Sequence, residues 1–394
     1  MNGTKKILPI IVVSQFLCTS LWFAGNAILP DIIKSFPTEL NLLANLTSMV
    51  QFGFISGTLV FAIFSISDIF DPSKVFFICG IAAAVFNLGI CLELTDVNML
   101  LLFRFLTGFM LAGIYPVGMK IAADYFKDGL GKSLGFLVGA LVLGTAFPHL
   151  LKNVTADFPW KYVIYATSTL SLIGACCIFL FVPNGPYRMA GQKFDLLASF
   201  SGFKNVNFRS AAFGYFGHMW ELYTFWAFLP GMLLLYNNTH QNPSLNISLF
   251  AFLIIASGSL SCMIGGLLSQ KFGAKRIATI ALSISGLCCI LSPIFLFSSS
   301  VYIFLIFLFI WGLAGTADSP LFSSLVAKNA PDALKGTSLT IVNCIGFAIT
   351  IISIQVINIL AKQIDSHYLY TMLAIGPVLG LFALSKGIKS TSNL

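Results

Sequence analysis

The chain has 394 residues, 57% hydrophobic and 9% charged, with a formal net charge of +8. A soluble domain carries roughly 25% charged residues, so this composition excludes a soluble surface and implies a polytopic membrane protein. The excess of basic charge suits anionic lipid at one membrane face and requires no nucleic acid.

Lys5 and Lys6 precede an apolar run that continues to about Leu29 without a small-residue cleavage site, so an uncleaved first span is expected. Further runs predict helices near 41–66, 75–94, 97–122, 133–151 and 160–182. The polar stretch 183–208 opens with Gly and Pro and reads as a linker. Six more helices are predicted near 209–236, 246–269, 277–298, 301–327, 337–361 and 367–386. The expected fold is all-α, with about twelve transmembrane helices in two pseudo-symmetric six-helix bundles, 1–182 and 209–394, joined by a cytoplasmic linker, 183–208. Of the 22 Lys and Arg, only Lys34, Lys152, Lys161 and Lys362 fall on the face opposite the termini, and Arg104 and Lys120 fall in a span. That bias places both termini in the cytoplasm. The nine cysteines lie in or beside apolar runs without metal-ligand spacing and read as packing residues.

The halves resemble each other. In "GFMLAGIYPVG" (108–118) and "GLAGTADSPLF" (312–322), Gly108 matches Gly312 and Pro116 matches Pro320, both at an offset of 204. Asp128 and Leu130 match Asp332 and Leu334 at the same offset, and Lys74 pairs with Arg276 at 202. Two homologous six-helix halves are the plan of a secondary transporter, with its site between them near mid-membrane.

Three motifs then carry a family resemblance. The loops "FSISDIFDPSK" (64–74) and "GLLSQKFGAKR" (266–276) follow the second and eighth helices. Together they resemble the Gly-x-x-x-Asp-Arg-x-Gly-Arg-Arg signature of the major facilitator superfamily. The first keeps Asp68 and Lys74 but lacks the leading Gly, the Arg after the acid and the later Gly. The second keeps Gly266, Lys271, Gly273, Lys275 and Arg276, with Gln270 for the acid. On helix four, "RFLTGFMLAG" resembles the family's Arg-x-x-x-Gly motif through Arg104 and Gly108. The resemblance implies alternating access around a cavity lined mainly by helices one, four, seven and ten. It also implies gating loops at Asp68, Lys74, Lys271, Gly273 and Arg276. Physically, Asp68, and less so Asp71, can pair with Lys127 or Lys132 in one state only, while Lys271, Lys275 and Arg276 serve orientation as well as gating.

Ionisable residues inside a span are expensive and are functional candidates by default. Glu221 lies about 18 Å along helix seven from Arg209, near mid-membrane, and is a candidate proton carrier. His218 shares its face one turn earlier. Arg104 pairs with Glu221 or binds an anionic solute on the functional reading, and satisfies backbone carbonyls on the structural one. The same division holds for Asp318, beside Ser319 and Pro320. Lys120 reads as snorkelling beside Asp124, and His149 as structural or interfacial. On helix one, Gln15, Thr19, Trp22 and Asn26 are spaced 4, 3 and 4 and share one helical face. With Gln51, Tyr115, Trp220, Tyr223, Trp226 and Asp318 they form the candidate substrate cavity.

No Walker loop, nucleophile elbow or metal-ligand cluster appears, so neither an ATP-driven pump nor an enzyme is expected. The expected protein is a monomeric, multi-pass transporter of the plasma (inner) membrane, with no cofactor beyond a proton or other coupling ion. The first reading is proton-coupled transport of a small polar or anionic solute, with Arg104 as counter-charge. The second is proton-driven efflux of amphiphilic or cationic compounds, with Glu221 as counter-charge. The missing Gly-Pro pair on helix five leans away from antiport, and the lack of arginines on helices two and eight counts against nitrate. A receptor that binds without transporting is a third reading.

Overall fold

The computed structural model describes residues 4–35, 41–92, 96–126, 130–188, 200–240, 245–331 and 334–387. Linker residues 189–199, Lys127 and the Asp128–Asp332 match lie outside them, as does the side chain of Lys132.

Among the described residues twelve helical runs follow in order. In the first half they are α1 (Thr4–Thr19, continued by Ala24–Ala27 and Leu29–Ser35), α2 (Leu42–Ile63), α3 (Pro72–Cys91), α4 (Val97–Tyr125), α5 (Leu130–Val154) and α6 (Lys161–Phe181). In the second they are α7 (Val206–Thr239), α8 (Ile247–Phe272), α9 (Ala274–Phe295), α10 (Val301–Asn329), α11 (Lys335–Leu360) and α12 (Ser366–Lys386). Among the described residues, ten helices, α2–α6 and α8–α12, are long and apolar enough to cross a membrane. α1 falls short because its ladder stops at Thr19. α7 has 34 residues, but its middle is diluted by His218, Glu221, Thr224 and polar aromatics.

The halves repeat each other closely. α4 is built of Val97–Leu111 and Tyr115–Tyr125, and α10 of Val301–Ala317 and Ser319–Asn329. Both second pieces carry a proline in their first turn, where a missing N–H costs nothing. Gly108 packs directly against the carbonyl of Val50, and Gly312 faces the carbonyl of Ile254. These two contacts are again 204 residues apart, so helix two meets four as helix eight meets ten.

At the break in α1, side chains bond back onto the preceding turn. Thr19 donates its hydroxyl to the Gln15 and Phe16 carbonyls (2.8 and 3.3 Å), and Ser20 donates to Leu17 O (2.7 Å). Such back-bonding competes with the helix ladder, and the chain turns through 20–23 before becoming helical again.

The halves meet through α5 against α8 and α2 against α11. Gly139 lets α5 approach α8 closely, since a Cβ there would lie 3.1 Å from the Ser259 carbonyl oxygen. At the face opposite the termini both pairs carry polar bridges. Asn246 donates to Asn153 (2.5 Å), Gln355 to Ser48 (3.0 Å), and Asn358 and Lys362 both donate to Asn41 (2.8 and 2.7 Å).

Gly108→Ala is expected to destabilise the fold by about 1–3 kcal/mol, because a methyl group must push α2 away from α4. A lowered melting temperature of the purified protein checks this. Gly231→Ala, whose new Cβ would meet nothing within 4 Å, should leave it unchanged.

Candidate functional site

A small cavity lies between the halves. Tyr115 of α4 and Val138, Leu141 and Val142 of α5 form one wall. Tyr215, His218, Tyr223 and Trp226 of α7, Ser319 and Ser323 of α10, and Asn343 and Phe347 of α11 form the other. Its water-accessible space is about 40 Å³, room for roughly two or three waters. The wall is mainly aromatic and aliphatic, and none of its residues is Lys or Arg.

Above it, toward the face opposite the termini, an aromatic cluster joins the halves. Trp22 lies 4.9 Å from Phe54, 6.0 Å from Tyr223 and 5.7 Å from Phe347, centroid to centroid, and Phe23 lies 6.3 Å from Trp226. Beside it Thr350 donates its hydroxyl to Gln51, a bond that crosses between halves. The indole N–H groups of Trp22 and Trp226 and the Gln51 Nε2 find no acceptor among the described residues.

The acids lie behind the cavity wall. His218 Nδ1 is 2.9 Å from Asp318 Oδ1, and its Nε2 is 2.8 Å from Ser319 Oγ. Asp318 is fully buried and His218 is 2% exposed. Beyond that contact, neither carboxylate oxygen of Asp318 has a hydrogen-bond partner among the described residues. The α10 break produces this placement: Asp318 sits at the junction, and its own carbonyl accepts from Leu321 and Phe322 N–H (3.0 and 2.9 Å). Glu221 sits one turn further along α7, turned toward α9 and α10. It accepts from Trp311 Nε1 (2.6 Å) and Ser285 Oγ (2.9 Å). Sequence reasoning paired His218 with Glu221 and missed Asp318 as its partner. Trp311 and Ser285 lay far off in sequence and gave no signal.

Arg104 does not meet Glu221 here. It donates to the Leu21 and Trp22 carbonyls (3.2 and 2.5 Å) at the α1 break and to Asn87 Oδ1 (3.3 Å). Asn87 passes the tie onward to Ser168 on α6 (2.9 Å). The guanidinium therefore satisfies carbonyls at the α1 break, and it fixes Trp22 over the cavity.

Several expected cavity residues are placed elsewhere. The break separates the four polar residues of α1, so they share no continuous face. Gln15 packs against Gly118 of α4, Thr19 against Gly144 of α5, and Asn26 donates to Thr47 of α2 (2.7 Å). Trp220 turns onto α12 and donates to Met372 O (3.3 Å). α5 and α11 supply cavity walls where α1 was expected to. Among the loop residues, Asp68 pairs with Lys120, where the sequence suggests Lys127 or Lys132 for the acid and snorkelling for Lys120, while Asp71 caps α3 through Ser73 N–H (3.0 Å). Lys74, Lys271 and Arg276 are exposed, and Gly273 makes the α8–α9 turn at φ +86°. His149 is buried, its Nε2 without a partner among the described residues.

Arg104→Gln is expected to lower the melting temperature, because losing the charged fork strands buried carbonyls at about 1–3 kcal/mol each. Arg104→Lys, with one point charge instead of a fork, should fall between. A melting temperature equal to wild type in Arg104→Gln would contradict the repair role.

The known proteins that resemble this chain are transporters. An uncharacterized MFS-type transporter of Bacillus subtilis, YuxJ, is 25% identical over 279 residues, 66% of this chain and 66% of that one. The matched stretches span about two thirds or less of the curated relatives' own lengths. The human organic anion transporter MFSD10 superposes with a TM-score of 0.75 at 15% identity, covering 97% of this chain and 99% of that one. The proton:xylose symporter XylE gives 0.73 at 14%, covering 96% and 95%. These likenesses show a shared fold. From residue 11 to residue 385 the chain matches the family model of the Major Facilitator Superfamily, and it belongs to that superfamily of membrane transporters.

Proposed function

We propose that the protein is a secondary active transporter that exchanges protons for an organic cation or amphiphile by alternating access. The observation that carries this is the aromatic cavity between the halves with the His218–Asp318 pair at its wall. Aromatic rings suit an apolar body and a cationic head, and a buried carboxylate attracts either a proton or a cation. One acid serving both gives exchange by competition. The missing Gly-Pro pair on α5 is a sequence argument against exchange; competition at one acid is the physical argument for it. Arg104 is occupied by the α1 carbonyls, which speaks against its use as counter-charge for a small anion. The unpartnered indole N–H of Trp226 on the cavity wall offers one donor to a polar atom of the solute.

In this reading the bridged face opposite the termini is the outside, as the excess of Lys and Arg near the termini requires in a plasma membrane. The cavity admits a solute of any size only when the halves rock apart, so the small volume belongs to a closed-up state. Glu221 stands behind the pair as a second proton holder, steadied by Trp311 and Ser285.

With tetraphenylphosphonium as probe, Asp318→Asn is expected to abolish its pH-driven movement in proteoliposomes. Glu221→Gln should slow it by roughly tenfold, equivalent to about 1.4 kcal/mol. Undiminished pH-driven movement in Asp318→Asn would sink the proton assignment. Movement untouched in Glu221→Gln would reduce Glu221 to a packing residue.

A further inference from the structure

The start of the linker is bonded, residue after residue, to the end of the first half that carries the N-terminus. Val182 O accepts from Ser73 Oγ (2.6 Å) and Pro183 O from the Tyr125 hydroxyl (2.5 Å). Asn184 donates to Asp71 Oδ2 (3.4 Å). Gly185 lies so close to the Asp124 carbonyl that a side chain would not fit, and Tyr187 N–H donates to that same carbonyl (3.0 Å). Arg188 closes the run. One of its terminal nitrogens donates to Asp68 O (3.3 Å) and Phe70 O (2.8 Å), and the other to Asn184 Oδ1 (3.2 Å).

The segment so held is the short helical turn Ile66–Ile69 between α2 and α3, which carries Asp68 on Lys120. That turn begins at Ser65, whose φ of 49° is left-handed. Among the described residues it is the one non-glycine with positive φ. Such a backbone is strained for a residue with a side chain and persists only where its surroundings hold it. Ser65 is tied locally, its N–H donating to Ala62 O (3.0 Å) and its carbonyl accepting from Asp68 and Ile69 N–H (2.9 and 3.0 Å), and Arg188 grips the carbonyls on both sides of Ile69 in the same turn.

We propose that residues 183–188 are a strap that holds the α2–α3 loop in a sprung conformation, with Arg188 as its catch, so that the linker governs when Asp68 leaves Lys120. Movement of Arg188 as the halves rock would free the Asp68 and Phe70 carbonyls together. The loop would then relax at Ser65 and carry the acid away from its own half.

Amide hydrogen exchange on the full-length protein in detergent tests this without a transported solute, so its outcome is independent of the transport reading. Arg188→Gln is expected to raise exchange at Tyr187 and at residues 68–70 by at least tenfold, while interior amides of α2 and α4 stay as in wild type. Tyr125→Phe, which removes one hydroxyl from the other end of the strap, should raise Tyr187 exchange in the same direction, and it carries the test should Arg188→Gln fail to fold. Adding Ser65→Gly, which suits the left-handed backbone, should slow loop exchange again in the Arg188→Gln background. Wild-type exchange at Tyr187 and 68–70 in Arg188→Gln, or at Tyr187 in Tyr125→Phe alone, would overturn the strap. A loop that Ser65→Gly fails to slow would overturn the spring.

Discussion

Helices α1, α4 and α10 interrupt their hydrogen-bond ladders inside an apolar layer, and every freed group there must find a partner. That constraint arranges the centre of this protein. At the α1 break Arg104 takes the Leu21 and Trp22 carbonyls, and Trp22 is thereby set over the cavity. At the α10 break the backbone satisfies itself through the Asp318 carbonyl, which leaves the Asp318 side chain to face His218. The equivalent position on α4 is Ile114, which carries no charge. The repeat supplies two like breaks, and only one was given an acid.

The asymmetry has a functional sense. The first half contributes apolar walls and a fixed lid, while the second half holds His218, Glu221 and Asp318 within one group of helices. In the proposed exchange, a proton bound there would alter the charge balance at one side of the cavity only. The hydrogen bonds between Asn41, Ser48 and Asn153 and their partners on α8 and α11 join the halves at the face opposite the termini. In the proposed alternating access, rocking would have to break these bridges and part Trp22 and Phe54 from Tyr223 and Phe347 before a solute passes that way.

The fold was legible in the sequence because apolar length and a 204-residue repeat are local and additive signals. Gly108, Gly312, Pro116 and Pro320 marked both the close helix approaches and the breaks. The site was legible in part. Charges in an apolar run announce themselves, so Arg104, His218, Glu221 and Asp318 all stood out. Their partners did not, because Asp318 is 100 residues from His218 and Trp311 is 90 from Glu221. The shared polar face of α1 was misleading for a physical reason: the helix stops at Thr19, so Trp22 and Asn26 lie beyond the break and no longer follow the helical spacing from Gln15. Trp220 misled because an aromatic beside a cavity helix can as readily face the neighbouring helix, here α12. Arg188 gave no signal at all, since a linker arginine looks like ordinary charge at a membrane face.

The central claim is that one buried acid, Asp318 beside His218, serves proton and solute in turn. The most direct measurement is the thermal stabilisation of the purified protein by tetraphenylphosphonium at about pH 5.5 and pH 8, in wild type and Asp318→Asn. A ligand at 100 times its dissociation constant stabilises by about 2.7 kcal/mol, which is readily detected. The account predicts stronger stabilisation at the higher pH, where fewer protons compete, and loss of that pH difference in Asp318→Asn. Stabilisation by benzoate instead, lost in Arg104→Gln and indifferent to Asp318, would contradict it and return Arg104 to the role of counter-charge.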